Sequence, residues 1–183
     1  FGDNEIWVQE LDLNTMQLVG ESYAIWHGAL REVVWPEGPH IYKKDGTYYL
    51  LIAEAGTAHD HAVTIAKGKS LKEPFTGYAC NPILTHRHLG RNYTIVNVGH
   101  GDFVETQNGD WYMVVLASRP YGGYYRNLGR ETFLVPVVWE NGWPVINYGI
   151  GLLEDTVDMP NLPITTRKLE PEIENFDDEK LPF

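Results

Sequence analysis

At 183 residues the chain falls in the single-domain size range and is long enough to bury a core. Its formal net charge of −11, with 25 acidic side chains against 14 lysines and arginines, argues against nucleic acid or an anionic membrane surface as partner, since both need clustered cations. The single cysteine, Cys80, excludes an intrachain disulfide and a thiolate metal cluster and leaves the compartment open.

Aromatic content is high (6 Trp, 11 Tyr, 6 Phe), glycine and proline are frequent (18 and 11), and no long stretch spaces its apolar residues as a helix does. An all-β fold is expected. No apolar run approaches the ~20 residues that span a bilayer, and no basic-then-apolar leader opens the chain. Instead Ile6 to Leu13 and then Met16 to Val19 read at once as strands, the outer half of a repeat unit, which sets the expectation that more sequence lies upstream. Farther along, Asp45-Gly46, Asn108-Gly109 and Asn141-Gly142 each separate two apolar or aromatic runs, the signature of hairpin turns.

Laying Gly46 over Gly109, an offset of 63 residues, uncovers an internal repeat. Tyr48-Tyr49-Leu50-Leu51-Ile52 then lies over Trp111-Tyr112-Met113-Val114-Val115, and Ile41-Tyr42 over Val104-Glu105. After the first hairpin, Ala62 to Ala66 and Glu73-Pro74-Phe75 supply further strand-like stretches. Units of about four strands point to a propeller or a stacked-sheet array, with a β-sandwich as the other architecture. From Glu154 the composition changes: residues 154–183 hold nine acids, three bases and four prolines, as a solvated linker or wrapping tail would.

At the same offset Glu37 lies over His100, each before the first strand of its unit. In a propeller such positions converge on the axial channel, so the two are expected to face one pocket. Glu37 reads either as a surface carboxylate or as a proton donor. Two prolines and a glycine fix the backbone around it, Trp35 can wall it, and apolar surroundings disfavour a carboxylate's charged form. His100 reads as a hydrogen-bonded structural residue, a metal ligand or an axial electrostatic group. His59-Asp60-His61 and His86-Arg87-His88 have metal-site spacing if they lie in strands, and otherwise read as loop histidines near a polar substrate. The segment Arg119 to Arg130, rich in Tyr, Arg and Gly, suits stacking on sugar faces and donation to hydroxyls; a self-packed surface loop is the other reading.

Trp35-Pro36-Glu37-Gly38-Pro39-His40-Ile41-Tyr42-Lys43-Lys44-Asp45-Gly46 closely resembles the proton-donor segment of glycoside hydrolase family 43. Val98-Gly99-His100-Gly101-Asp102 and Gly129-Arg130-Glu131-Thr132-Phe133-Leu134 resemble two further motifs of that family, in the same order. The resemblance runs over roughly residues 1–150 and is closest to the β-xylosidase and α-L-arabinofuranosidase branch. It implies a five-bladed β-propeller that releases terminal xylose or arabinose from hemicellulose oligosaccharides with inversion. In that family an Asp is general base, a Glu general acid, and a second Asp tunes the acid.

Carried over residue by residue, Glu37 takes the place of the acid. His100 takes that of the axial histidine, which in many members lies beside a calcium ion (Ca2+). Arg130 takes that of an arginine reaching the innermost sugar, with Glu131 as its rival partner. Trp35, Thr57 and Tyr121 complete the expected substrate-binding set. Both family aspartates precede the acid, and none of the 36 residues before Glu37 matches their motifs, so neither is carried over. The implied portion is the last three to three and a half blades over residues 1–153, with 154–183 leading toward a C-terminal β-sandwich domain. The expected partners are a xylo- or arabino-oligosaccharide and an upstream segment bearing the aspartates; oligomeric state is open. A non-catalytic sugar-binding propeller module is the alternative.

Overall fold

The computed structural model describes residues 4–30 and 35–164. Apart from one 3₁₀ turn at Arg87–Leu89, the regular structure among them is all β, as the composition implied. The strands are β1 (Ile6–Asp12), β2 (Gln17–Trp26), β3 (Glu37–Lys44), β4 (Thr47–Glu54), β5 (Ala62–Gly68), β6 (Thr76–Gly77), β7 (Val96–Glu105), β8 (Trp111–Ser118), β9 (Glu131–Glu140) and β10 (Trp143–Ile146). They form a hairpin β1-β2 and two four-stranded antiparallel sheets, β3-β4-β5-β6 and β7-β8-β9-β10.

All three expected turns are present. Asp45-Gly46 and Asn141-Gly142 adopt successive positive φ values (48° and 71°; 51° and 71°), which a two-residue hairpin needs to match the strand twist and which Asn, Asp and Gly tolerate best. Asn108-Gly109 sits in a longer connection, Thr106 to Asp110. The third hairpin, β9-β10, is no unit of its own but the outer half of the second sheet. The described residues thus make two four-stranded units and a two-stranded one, fewer than the three to three and a half expected.

Stacking of the sheets explains the strand compositions. On β4, Leu50 and Ile52 join Ile6, Ile25, Trp26 and Phe75 in one core, while Tyr49 and Leu51 join Met113, Val115, Val135 and Val137 in the other. A strand covered on both faces reads as an unbroken apolar run, and Tyr49 to Ala53 is one. By contrast, β8 alternates about buried Met113, Val115 and Ala117 with Val114 exposed, because only one of its faces is covered. Each fully buried leucine or isoleucine on β4 contributes about 1.5–3 kcal/mol by leaving water.

The ladders correct the repeat. Along β4 and β8 the 63-residue offset holds, but along the inner strands it is 62: Glu37 pairs with Ala53 as Gly99 pairs with Leu116, and His40 with Leu51 as Asp102 with Val114. The extra residue is absorbed by the longer Thr106 to Asp110 connection. The structural counterpart of Glu37 is therefore Gly99, and that of His100 is Gly38. Both inner strands carry a bulge at this place, between Glu37 and His40 and between Gly99 and Asp102. Gly38 and His100 occupy the same left-handed position in it, each at φ 57°.

Residues 154–164 contain no helix or strand and cross beside the second sheet, where the Asn108 amide donates to the Asn161 carbonyl. The rest of the expected tail, 165–183, lies outside the described residues.

Candidate active site

Although they are not strict counterparts, Glu37 and His100 do converge. Glu37 Oε1 lies 3.8 Å from His100 Nδ1, across the gap between the inner strands of the two sheets. The bulges bring this about: an extra residue in each strand turns the following side chains and strengthens the local twist. A Cβ on Gly38 would overlap the His100 ring, so the glycine is what admits the imidazole beside the carboxylate. At 3.8 Å the pair is an electrostatic contact, not a hydrogen bond, and His100 Nδ1 has no other partner. The side chain of Glu37 is 45% exposed, so the apolar enclosure expected around it is not formed among the described residues. A cavity of about 810 Å³ contains neither member of the pair. It is lined by Trp7 and Ser22 of the hairpin and by Trp35, Pro36 and Pro39, and it separates β1-β2 from β3.

Trp35 is exposed and held at φ 55°, with its ring against Gly56, where a Cβ would approach it to 3.0 Å. Thr57, the next residue, is exposed in the β4-β5 connection. Beneath them, β4 ends in a buried carboxylate. Glu54 accepts hydrogen bonds from the amides of Ala29 (2.7 Å) and Leu30 (3.1 Å) and from the Thr64 hydroxyl (2.5 Å).

His61 is fully buried. Its Nδ1 donates to the Asn97 carbonyl (3.0 Å), which leaves Nε2 as an acceptor without a partner. Burial pushes its pKa below the usual histidine range; the Asn97 carbonyl opposes this, the positive charges of His100 and Arg130 reinforce it, and Glu37 opposes it. His61 is thus close enough to Glu37, His100 and Arg130 to be influenced by all three. Asn97, at φ 60°, also accepts from the Tyr124 hydroxyl, so one buried residue ties the β4-β5 turn to the 119–130 loop.

In that loop Arg130 is exposed. Its expected rival partner, Glu131, is instead held by Arg119, whose guanidinium donates at 2.6 to 3.2 Å and keeps the carboxyl below the usual range. Arg91 and Arg126 lie over the Tyr124 ring at 5.6 and 4.7 Å. Tyr121 is half exposed and bridges by backbone to Tyr125. The loop is anchored through Tyr124, while Tyr121 and Arg130 are exposed.

The histidine pairs do not chelate. His59-Asp60-His61 form a turn rather than a strand, so alternate residues share no face, and His86 is spent on the Ile95 carbonyl and the Leu153 amide. Among the described residues no three His, Cys, Asp or Glu side chains come together to hold a metal. Glu54 and Asn97 were not singled out from sequence, whereas His61 entered there only in a candidate metal pair and Tyr124 only as part of the 119–130 segment. A glutamate in an otherwise apolar strand, Ala53-Glu54-Ala55, was the one signal on offer.

Comparison with known proteins follows the same lines. The profile described as Glycosyl hydrolases family 43 matches residues 2–144. A xylosidase/arabinosidase of Butyrivibrio fibrisolvens is 62% identical over 158 residues, covering 86% of this chain and 30% of the relative. A non-reducing end α-L-arabinofuranosidase of Bacteroides ovatus is 39% identical over 147 residues, covering 80% and 27%. The crystal structure of a xylan β-1,4-xylosidase from Bacillus halodurans C-125 superposes with a TM-score of 0.83 at 39% identity, over 97% of this chain and 34% of that one. The chain therefore spans about a third or less of the length of these relatives.

Proposed function

The chain belongs to glycosyl hydrolases family 43, and from that premise we propose that it supplies the acid-bearing part of an inverting glycosidase that releases terminal xylose or arabinose from hemicellulose oligosaccharides. The observation that carries the reading is the meeting of Glu37, at the start of β3, with His100, in the bulge of β7. In this reading Glu37 protonates the departing glycosidic oxygen. An aspartate on an upstream segment, about 6.5–9.5 Å from Glu37, activates the water that attacks the opposite face of the sugar. His100 sets the field beside the acid, and Arg130 donates to a sugar hydroxyl with charge assistance. Trp35, Thr57 and Tyr121, all exposed toward solvent, contribute stacking and hydroxyl contacts.

The architecture proposed is a five-bladed propeller to which residues 1–153 contribute the two four-stranded sheets and the β1-β2 hairpin, with 154–183 leading toward a β-sandwich. Two features support an upstream partner: the relatives are about three times longer, and Trp7, Leu11 and Leu18 of the hairpin are exposed. Calcium takes six to eight oxygen ligands. The described residues offer His100 and Glu37 but no cluster of three, so they do not by themselves fit a protein-held calcium beside His100, and no step is assigned to one.

The test is Glu37→Gln in the full-length enzyme, assayed on a xylo-oligosaccharide and on an aryl xyloside. A good leaving group needs little protonation, so the oligosaccharide should lose about 10²–10⁴-fold and the aryl glycoside far less. Equal losses would remove Glu37 from the acid role. Sugar binding with no turnover in the unmutated enzyme would favour the non-catalytic module.

A further inference from the structure

We infer that Glu54 is a positioning residue for the acid, acting through the end of β4, which borders Glu37 at Ala53 and Trp35 at Gly56. The inference rests on the acid role proposed for Glu37. Glu54 is completely buried, and no lysine, arginine or histidine side chain pairs with it among the described residues. A buried polar group is costly unless it is hydrogen-bonded, and three donors satisfy Glu54. Burial alone gives little reason for a carboxyl here. Position gives a better one.

Three consecutive features of one short stretch converge on the acid. Ala53 is the ladder partner of Glu37 itself. Glu54 grips the amides of Ala29 and Leu30, eight and seven residues before Glu37, with both carboxylate oxygens, while the Thr64 hydroxyl on β5 also donates to the carboxylate. Gly28, at φ 88°, brings the backbone so near that a Cβ would stand 3.0 Å from the carboxylate. Two residues beyond Glu54, Gly56 receives the ring of Trp35, two residues before Glu37. The end of β4 thus fixes the acid's approach at Ala29-Leu30, at Trp35 and at Glu37. In the second sheet the residue equivalent to Glu54 along β8 is Ala117, which can make no such clamp, and the inner strand there presents Gly99 where the first presents Glu37. The clamp accompanies the carboxylate and is absent from the twin that lacks it.

The experiment uses the full-length enzyme with Glu54→Gln, and with Thr64→Val as the milder variant should the first fail to fold. Misplacement of a reacting group by about 1 Å can cost about 10²-fold, and here the cost should fall on proton donation. Glu54→Gln is expected to lower kcat/KM by about 10-fold or more on a xylo-oligosaccharide and by under about 3-fold on an aryl xyloside with a good leaving group. Thr64→Val should follow in the same sense with a smaller loss. Hydrogen exchange at the Ala29 and Leu30 amides should quicken in Glu54→Gln. Equal losses on the two substrates, or full activity with quickened exchange, would overturn the inference and leave Glu54 a structural residue. Glu37→Gln run alongside separates the two readings. If it discriminates between leaving groups and Glu54→Gln does not, only the positioning role falls; if it does not discriminate, the acid falls and this inference with it.

Discussion

In the sheet β3-β6 the bulged position of the inner strand is glycine, Gly38; in β7-β10 it is His100, at the same φ of 57°. The connections that follow differ as well. After β4 the chain turns in seven residues and buries His61, whereas after β8 it takes twelve and displays Tyr121, Arg126 and Arg130. The ladders are copies and the ends are not. A bulge is a property of backbone and needs no particular side chain, so one copy is free to carry an imidazole there provided its neighbour gives up a Cβ to make room. The two sheets share the bulge and differ in the residue it carries and in the connection that follows.

The comparison breaks most severely at Gly38. Gly38→Ala asks an L-residue to take a left-handed φ, costing about 1–2 kcal/mol, and forces the new methyl against the His100 ring, adding about 1–3 kcal/mol of overpacking. Denaturant unfolding should register the sum. A neutral result would mean that the two inner strands do not approach as closely as described.

His86 provides the next largest effect, because it joins the stretch between the sheets to the far end of the second one. Its Nδ1 donates to the Ile95 carbonyl (2.7 Å) and its Nε2 accepts from the Leu153 amide (2.9 Å), a pattern only the neutral ring can make. Burial, reinforced by the charge of His88, holds its pKa below the usual value despite the Ile95 carbonyl. His86→Phe should cost about 2 kcal/mol for the two hydrogen bonds. The pH dependence has a definite sign. Above about pH 6.5 folded and unfolded chains are both neutral at this residue and its stability is complete. As pH falls below that, the unfolded chain takes up the proton first, and stability declines until the depressed folded pKa is passed. His61 is shifted in the same direction and adds to the slope. Melting temperatures between pH 8 and pH 5 should therefore fall less steeply in His86→Phe than in the unmodified protein; parallel curves would remove His86 from the account.

Much of this architecture was legible in the residues. Asp45-Gly46 and Asn141-Gly142 announced their hairpins because only certain residues accept two successive positive φ values, and the run Tyr48 to Ile52 stood out as a strand of the repeat, though not as one covered on both faces. The repeat was legible only to within one residue, since the side chains that align well belong to β4 and β8, while the extra residue in the Thr106 to Asp110 connection shifts the inner strands. Counting hairpins as units failed for a related reason: Asn141-Gly142 joins β9 to β10 within a sheet, and a turn signal does not say which sheet its strands enter. At the site, Glu37 and His100 stood out by motif. Glu54 and Asn97 did not, and His61 entered only as a candidate metal ligand, because their roles depend on backbone groups of Ala29, Leu30 and Asn97 that a sequence does not display.

A smaller effect tests the link between the two unlike connections. The Tyr124 hydroxyl donates to the Asn97 side-chain oxygen, and His61 donates to the Asn97 backbone oxygen, so both connections fasten to one buried residue. Tyr124→Phe removes one hydrogen bond and should cost about 1 kcal/mol. The more telling readout is exchange of amides in 119–130, which should quicken while those of 55–61 do not. Equal quickening in both would mean that Asn97 holds them as a single unit.

The smallest change in stability is expected where the comparison is sharpest. His100→Gly makes β7 match β3 at the bulge. Relief of the left-handed backbone returns about 1–2 kcal/mol, offset by about 0.5–1 kcal/mol for glycine's greater freedom in the unfolded chain and by the lost contacts of a ring that is one-third exposed. The net should lie within about 1 kcal/mol of zero, because Nδ1 forms no hydrogen bond whose loss would register. Activity should part company with stability: if the imidazole sets the field at Glu37, its removal should cost about tenfold or more in kcat/KM, equivalent to about 1.4 kcal/mol of barrier. A strongly destabilised but otherwise active variant would make His100 a packing residue. A stable and fully active one would mean that the side chain carried by this copy of the bulge, and not by the other, does nothing for the reaction, and the asymmetry of the two sheets would then need its explanation in Glu37 and Glu54 alone.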